Sequence, residues 1–264
     1  MGDAPHCMDR VVSLAPSATS TIHAIGAESV LVAATHHGDH RVERIGGWLN
    51  PDIDRIEALQ PDLVITTDSL QASIVAALRA RNIETLHLTP TTLEEVIDSI
   101  TEIGHAIGRD VATSELVSAI RDRLAQLETL TSEQRTPTVY CEEWSDPPMV
   151  AGNWIPDIVS VAGGAYPFAS PGDRSKQIDR ATVEAHAPTH IFLNICGMGT
   201  AVDPSTILDR GWSIPAIEEN RVWVIDDRLL NQPAPRLVDG ANQIAQRLYP
   251  DLSEIIASHA LLSP

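Results

Sequence analysis

With 264 residues, 43% of them hydrophobic, and a mean hydropathy of -0.03, the chain reads as a globular protein with room for one large core or two modest ones. Its net charge of -18 sets a single lysine, Lys176, and 17 arginines against 20 aspartates and 16 glutamates, a balance that suits solubility at very high salt. No apolar run reaches the ~18 residues of a membrane span and no basic stripe faces phosphates, so membrane insertion and nucleic-acid partners are both excluded.

The first predicted strand is residues 10–15, Arg-Val-Val-Ser-Leu-Ala, followed by a helix near 18–25 that Gly26 stops. Residues 30–34 form a second strand, and 36–51 a polar, glycine-containing loop. Ile53, Ile56 and Leu59 have helical spacing, and Pro61 ends that helix. A buried strand over 63–66, a helix over 70–81 and a strand over 84–88 complete a run of βαβ units with a parallel sheet. Leu93, Val96, Ile97, Ile100, Ile103 and Ile107 mark a helix that Gly108 interrupts, and the pattern resumes over 111–130. This long helical stretch fits either a spacer or two packed helices.

After Pro137 the alternation returns as a copy of the first half. Ile53-Asp54-Arg55 leading to Pro61-Asp62-Leu63-Val64-Ile65 is echoed by Ile178-Asp179-Arg180 leading to Pro188-Thr189-His190-Ile191-Phe192. A repeat of this length is a duplicated domain. The expected layout is an N-terminal lobe (1–108), a connecting backbone helix (109–135) and a C-terminal lobe (136–264). Each lobe is Rossmann-like α/β. A strand over 221–225 and a helix over 237–248 close the chain.

In open α/β sheets, ligands bind beyond the carboxyl ends of the strands. That rule selects Ser17, the run from Thr35 through His36, His37, Gly38 and Asp39 to His40, and Trp48 in the first lobe, with Asp68 and Ser69 after the strand at 63–66. In the second lobe it selects Glu142, Trp144, Cys196, Gly197, Asn231 and Arg236, with Trp154 nearby. Indoles there suit a flat, apolar ligand held in a cleft between the lobes, in a chain with only 4% aromatics. Trp212 and Trp223 read as structural. No GxSxG, P-loop, HExxH or GxGxxG occurs. The histidine loop nearly matches the HxHxDH motif of metallo-β-lactamase-like hydrolases with Thr35 in the first histidine's place. His36, His37 and His40 are therefore weak metal candidates, and a hydrolase using His37, Asp39 and His40 is an alternative of another class. Cys7, Cys141 and Cys196 form no CxxC and suggest no disulfide framework or zinc knuckle. Residues 1–7 lack a basic segment followed by an apolar one, which reads as a cytoplasmic chain, or an extracytoplasmic one if a leader has been removed.

Arg10-Val-Val-Ser-Leu-Ala-Pro-Ser-Ala18, Gly46-Gly47-Trp48-Leu-Asn-Pro51 and Ile56 to Asp62 leading into Leu63-Val-Ile resemble the helical-backbone substrate-binding proteins of ABC importers. Glu142-Glu143-Trp144-x-Asp146-Pro147 and Asn231-x-Pro233-x-Pro235-Arg236 bring the resemblance closest to the cobalamin-binding branch. It covers about residues 10–250 and implies two lobes joined by one long helix. It also implies a non-catalytic monomer binding cobalamin or a related corrinoid, with haem or a ferric siderophore as the alternative cargo. Cobalamin would be ligand rather than cofactor. By the same resemblance Trp48 would flank the corrin and the 37–40 loop would line the cleft. Asp54 would dock on a permease, while Ala181 occupies the matching place in the second lobe, with Asp179 and Glu184 nearby.

Overall fold

The computed structural model describes residues 8–36, 38 and 41–258. The chain divides into two compact units, residues 1–90 with 94–118, and 91–93 with 119–264.

The first unit is built on five strands: β1 (Val11–Ser13), β2 (Leu31–Ala34), β3 (Glu43–Arg44), β4 (Leu63–Thr67) and β5 (Thr85–Leu88). They lie in the order β3-β2-β1-β4-β5 and every pairing is parallel. The helices α1 (Pro16–Ala24), α2 (Ile53–Ala58), α3 (Ala72–Ala80) and α4 (Leu93–Ala106) alternate with these strands or follow them. The period-2 geometry of the strands sorts the core onto two faces. Val11, Leu63 and Ile65 pack with Ala18 and Ile22 of α1, with Ile103 in the last turn of α4 and with Ile107 just beyond it. Val12 and Val64 pack with Ile56 of α2 and Ile74 and Leu78 of α3. Continuous apolar runs are what a sheet covered on both faces demands.

All six apolar residues of the 93–107 pattern are buried, as their spacing requires. Gly108, at φ +67, sits in a left-handed conformation that β-carbons resist, and it parts α4 from α5 (Asp110–Thr131). Ser118 of α5 belongs to the first unit and Ala119 to the second, so this helix carries the chain from one lobe into the other.

The second unit holds β6 (Val139–Ser145), β7 (Pro148–Val150), β8 (Lys176–Gln177), β9 (His190–Leu193) and β10 (Val222–Val224) in the order β10-β9-β6-β7-β8. β10, β9 and β6 are parallel, whereas β7 and β8 are antiparallel additions. The helices are α6 (Ile155–Val161), α7 (Arg180–His186), α8 (Ser205–Leu208), α9 (Pro215–Glu218), α10 (Leu237–Leu248) and α11 (Ser253–Ala257). Tyr140, Ile191 and Leu193 face a cluster with Val183, Ile207 and Trp212. Val139 meets Val159 of α6 and Leu248 of α10 around Gly164 on the opposite side.

The duplicated segment is visible in local detail. Asp52 caps α2 by accepting from the Arg55 N–H at 2.9 Å, and Asp179 caps α7 by accepting from the Thr182 N–H at 2.8 Å. The structural partner of Asp179 is thus Asp52, and the partner of Asp54 is Ala181.

Candidate functional site

In the first unit, the carboxyl ends of β1 and β4 meet at the point where strand order reverses, the usual ligand position in such sheets. The side chain of Gln71, fully buried, ties three segments together there. Its amide nitrogen donates to the carbonyls of Leu14 (3.0 Å) and Trp48 (2.6 Å), and its amide oxygen accepts from the Thr67 N–H (2.8 Å). Sequence reading missed Gln71; its three partners lie in different segments, and no local pattern announces them.

Of the first-lobe candidates, Ser17 is buried and hydrogen-bonded to the Thr67 hydroxyl at 3.3 Å, so the expectation that it reaches a ligand directly is corrected. Asp68 has φ +80 and its carboxylate accepts from the Leu70 N–H at 2.7 Å. Asp68 and Ser69 are exposed, and Trp48 is half-buried. Leu49 and Leu70 expose 48% and 62% of their surface, one beside Trp48 and the other beside the Gln71 that holds it. His36 is exposed and its N–H donates to the Gly46 carbonyl at 3.0 Å. His37, Asp39 and His40 lie outside the described residues, so the metal and hydrolase expectations built on them do too. Among the described residues no group of three histidine, cysteine or carboxylate side chains could hold a metal ion.

In the second unit, Trp144 is not in a loop: β6 runs through it, and a hairpin turn at Asp146-Pro147 lets Met149 pair with it from β7. Its indole N–H donates to the Asp146 carbonyl at 2.9 Å, and 47% of the residue stays exposed. The neighbouring strand end carries the 196–199 loop. The Cys196 N–H donates to the Glu143 carbonyl at 3.0 Å, which sets this loop beside Trp144. Asp227 clamps the loop, accepting from the N–H groups of Gly197 at 2.8 Å and Gly199 at 2.9 Å. Both glycines have positive φ, +76 and +54, and Met198 between them is 47% exposed. The Asn231 amide donates to the Asn194 carbonyl at 2.7 Å and to Cys196 Sγ at 3.0 Å. Arg236 is half-buried at the start of α10.

Two second-lobe expectations are overturned. Glu142 is fully buried, and Arg210 binds both its carboxylate oxygens, at 2.6 and 2.9 Å, while the Tyr140 hydroxyl donates at 2.8 Å. With three of its about four acceptor sites taken and no surface exposed, this carboxylate faces the lobe interior rather than a ligand. Trp154 is 7% exposed and its indole N–H donates to the Leu230 carbonyl at 2.7 Å, which makes it core. Trp212 is buried against Tyr140, and Trp223 stacks on His190 and Phe192.

Partial desolvation of the exposed Cys196 first, then the Glu143 charge, push its thiol up to about 11. Burial also raises the Glu143 carboxyl, against a hydrogen bond from Ser175 that pulls it back.

The profile of the family described as periplasmic binding protein matches residues 11–229. The chain belongs to the periplasmic binding protein family. Members of this family are substrate-binding proteins. The vitamin B12-binding protein of Vibrio cholerae is 26% identical to this family member over 255 residues, covering 92% of this chain and 90% of that protein. A Bacillus subtilis protein described as an uncharacterized ABC transporter substrate-binding lipoprotein is also 26% identical, over 258 residues, covering 92% and 80%. The periplasmic heme-binding protein RhuT of Roseiflexus superposes with a TM-score of 0.80 at 20% identity, covering 92% of this chain and 98% of that one. The periplasmic vitamin B12 binding protein BtuF of Vibrio cholerae superposes with a TM-score of 0.75 at 24% identity, covering 94% and 98%. These two structures share the two-lobe α/β fold.

Proposed function

We propose that this periplasmic binding protein family member captures cobalamin or a related corrinoid, without transforming it, for delivery to an ABC permease outside the cytoplasmic membrane. One observation carries the reading. Of the six exposed large apolar residues among those described, four (Leu49, Leu70, Trp144 and Met198) sit at carboxyl ends of strands, two in each lobe. The other two, Val111 and Ile255, lie on helices. Exposed apolar surface collected where α/β sheets take ligands marks a binding site rather than random exposure. A corrin presents a broad face that suits indole, leucine and methionine, and rim amides that suit the hydrogen-bonding groups around them. In the first lobe we assign Trp48, Asp68 and Ser69 as ligand contacts, and in the second lobe Trp144 and the backbone of the 196–199 loop.

Haem and ferric siderophores are the second reading, in line with the heme-binding structures that share the fold. An anionic ferric chelate is disfavoured by the chain's charge of -18. Asp54, with 87% of its side chain exposed and Arg81 at 2.6 Å, is our permease-docking carboxylate in the first lobe. Asp179 is exposed but engaged as a helix cap, which leaves it the weaker partner. Tryptophan fluorescence under micromolar cyanocobalamin, haemin or a ferric siderophore, in high salt, tests the assignment. Saturable quenching by cyanocobalamin is expected. Saturation by haemin alone transfers the site to haem, and quenching by none of them ends the proposal.

A further inference from the structure

Trp144 stands at the tip of β6, and the residues on either side of it are gripped by one distant side chain. Arg210, between α8 and α9, lies 68 positions from Glu142 and 65 from Ser145. Its Nη1 donates to Glu142 Oε2 at 2.6 Å, and its Nη2 donates to Glu142 Oε1 at 2.9 Å and to the Ser145 carbonyl at 2.8 Å. The guanidinium also lies over the Trp212 ring, 5.1 Å from its centroid, and Trp212 is buried beside Tyr140. The Arg210 side chain is 16% exposed and the Glu142 side chain 0%. The plane of the guanidinium is therefore fixed from the carboxylate, the backbone and the aromatic ring together.

A buried carboxylate needs a counter-charge, but charge alone does not need this geometry. A bidentate bond to Glu142 together with a bond to Ser145 is specific to a planar fork, which an ammonium cannot reproduce. Glu142 and Ser145 bracket Glu143 and Trp144, so holding both fixes the stretch of strand from which the indole projects.

We propose that Arg210 is a positioning residue for ligand capture, setting the stance of the Trp144 indole through Glu142 and the Ser145 carbonyl. This rests on Trp144 contacting the ligand as assigned above, but the stance itself exists without ligand and can be measured without it.

The test uses Arg210→Lys, the paired variant Glu142→Leu/Arg210→Met, and each of these combined with Trp144→Ala. Removing both charges together avoids a stranded buried carboxylate and leaves the Tyr140 hydroxyl as the main group short of a partner, so the paired variant is expected to fold and to melt only modestly below the wild type. Two properties are then read. Acrylamide quenching of Trp144 in the unliganded protein, taken as the difference from a Trp144→Phe protein, is expected to rise in both Arg210 variants. Affinity for cyanocobalamin is expected to fall about tenfold, equivalent to about 1.4 kcal/mol, and to fall no further when Trp144→Ala is already present. A paired variant whose quenching and affinity both match wild type would show that Arg210 only neutralises Glu142, and would overturn the proposal. An affinity loss that adds fully to that of Trp144→Ala would overturn it as well. Should wild-type protein bind no cyanocobalamin, the ligand assignment fails and the quenching arm decides alone: a change sustains Arg210's role, no change ends it.

Discussion

In the first lobe the strand ends are fastened by neutral groups: Gln71 across three segments, Ser17 to Thr67, and Thr19 to Ser13 at 2.9 Å. In the second lobe the neutral Asn231 amide is joined by charged groups, Arg210 on Glu142 and Asp227 on the glycine loop. Neutral bonds cost about 1 kcal/mol each to lose, plus the desolvation of whatever is left unpaired. A buried ion pair contributes little net stability, yet losing one partner leaves a charge with nowhere to go. The two lobes can therefore hold their loops equally still while failing very differently under substitution.

The sharpest way to break this comparison is Arg210→Ala. It strands the Glu142 carboxylate and is expected to destabilise by about 3–5 kcal/mol in denaturant unfolding, whereas Glu142→Leu/Arg210→Met, which leaves the Tyr140 hydroxyl short of a partner, is expected to lose about 1–2 kcal/mol. Gln71→Ala in the other lobe is expected to cost about 2–3 kcal/mol, because it removes three neutral bonds at once. It should also weaken ligand binding through Trp48.

A pH effect of intermediate size comes from His190, which is buried, stacked on Trp223 and bonded to the Thr189 hydroxyl. Burial first, and Arg221 second, lower its pKa from 6.5 to about 4. The folded chain then holds this imidazole neutral where the unfolded chain would protonate it. Stability is full above pH 6.5 and is lost as pH falls from 6.5 toward 4, about 3 kcal/mol. His190→Phe should flatten stability against pH in that window relative to wild type; an unchanged slope would show that His190 is protonated without penalty.

The smallest expected effect is that of Asp227→Asn, which leaves one acceptor for two N–H donors and should cost about 1 kcal/mol. It should loosen the 196–199 loop, read as faster amide exchange at Gly197 and Gly199.

Much of the architecture was legible because buried parallel strands require unbroken apolar runs, as at Leu63-Val64-Ile65, and because helix faces repeat. The helix expected over 237–248 is α10 (Leu237–Leu248) itself. The hairpin of β6 and β7 was not legible. Glu142-Glu143-Trp144-Ser145-Asp146 mixes charge and aromatics without alternation, and its pairing depends on the return from Pro148. Glu142 illustrates the limit at the site. A carboxylate after a strand reads as a ligand contact, and only the arrival of Arg210 from far along the chain turns it inward. Trp154 failed for the same reason, since its partner is the Leu230 carbonyl. Long-range pairings between single polar residues leave no periodic trace.

Calorimetric titration of cyanocobalamin into the wild-type protein and into Trp48→Ala and Trp144→Ala addresses the function most directly. One molecule bound per chain is expected, with micromolar or tighter affinity and a loss of about tenfold or more in each variant, as for an aromatic anchor. Absence of binding would contradict corrinoid capture, and variants that bind as tightly as wild type would contradict the assignment of each indole as a ligand contact.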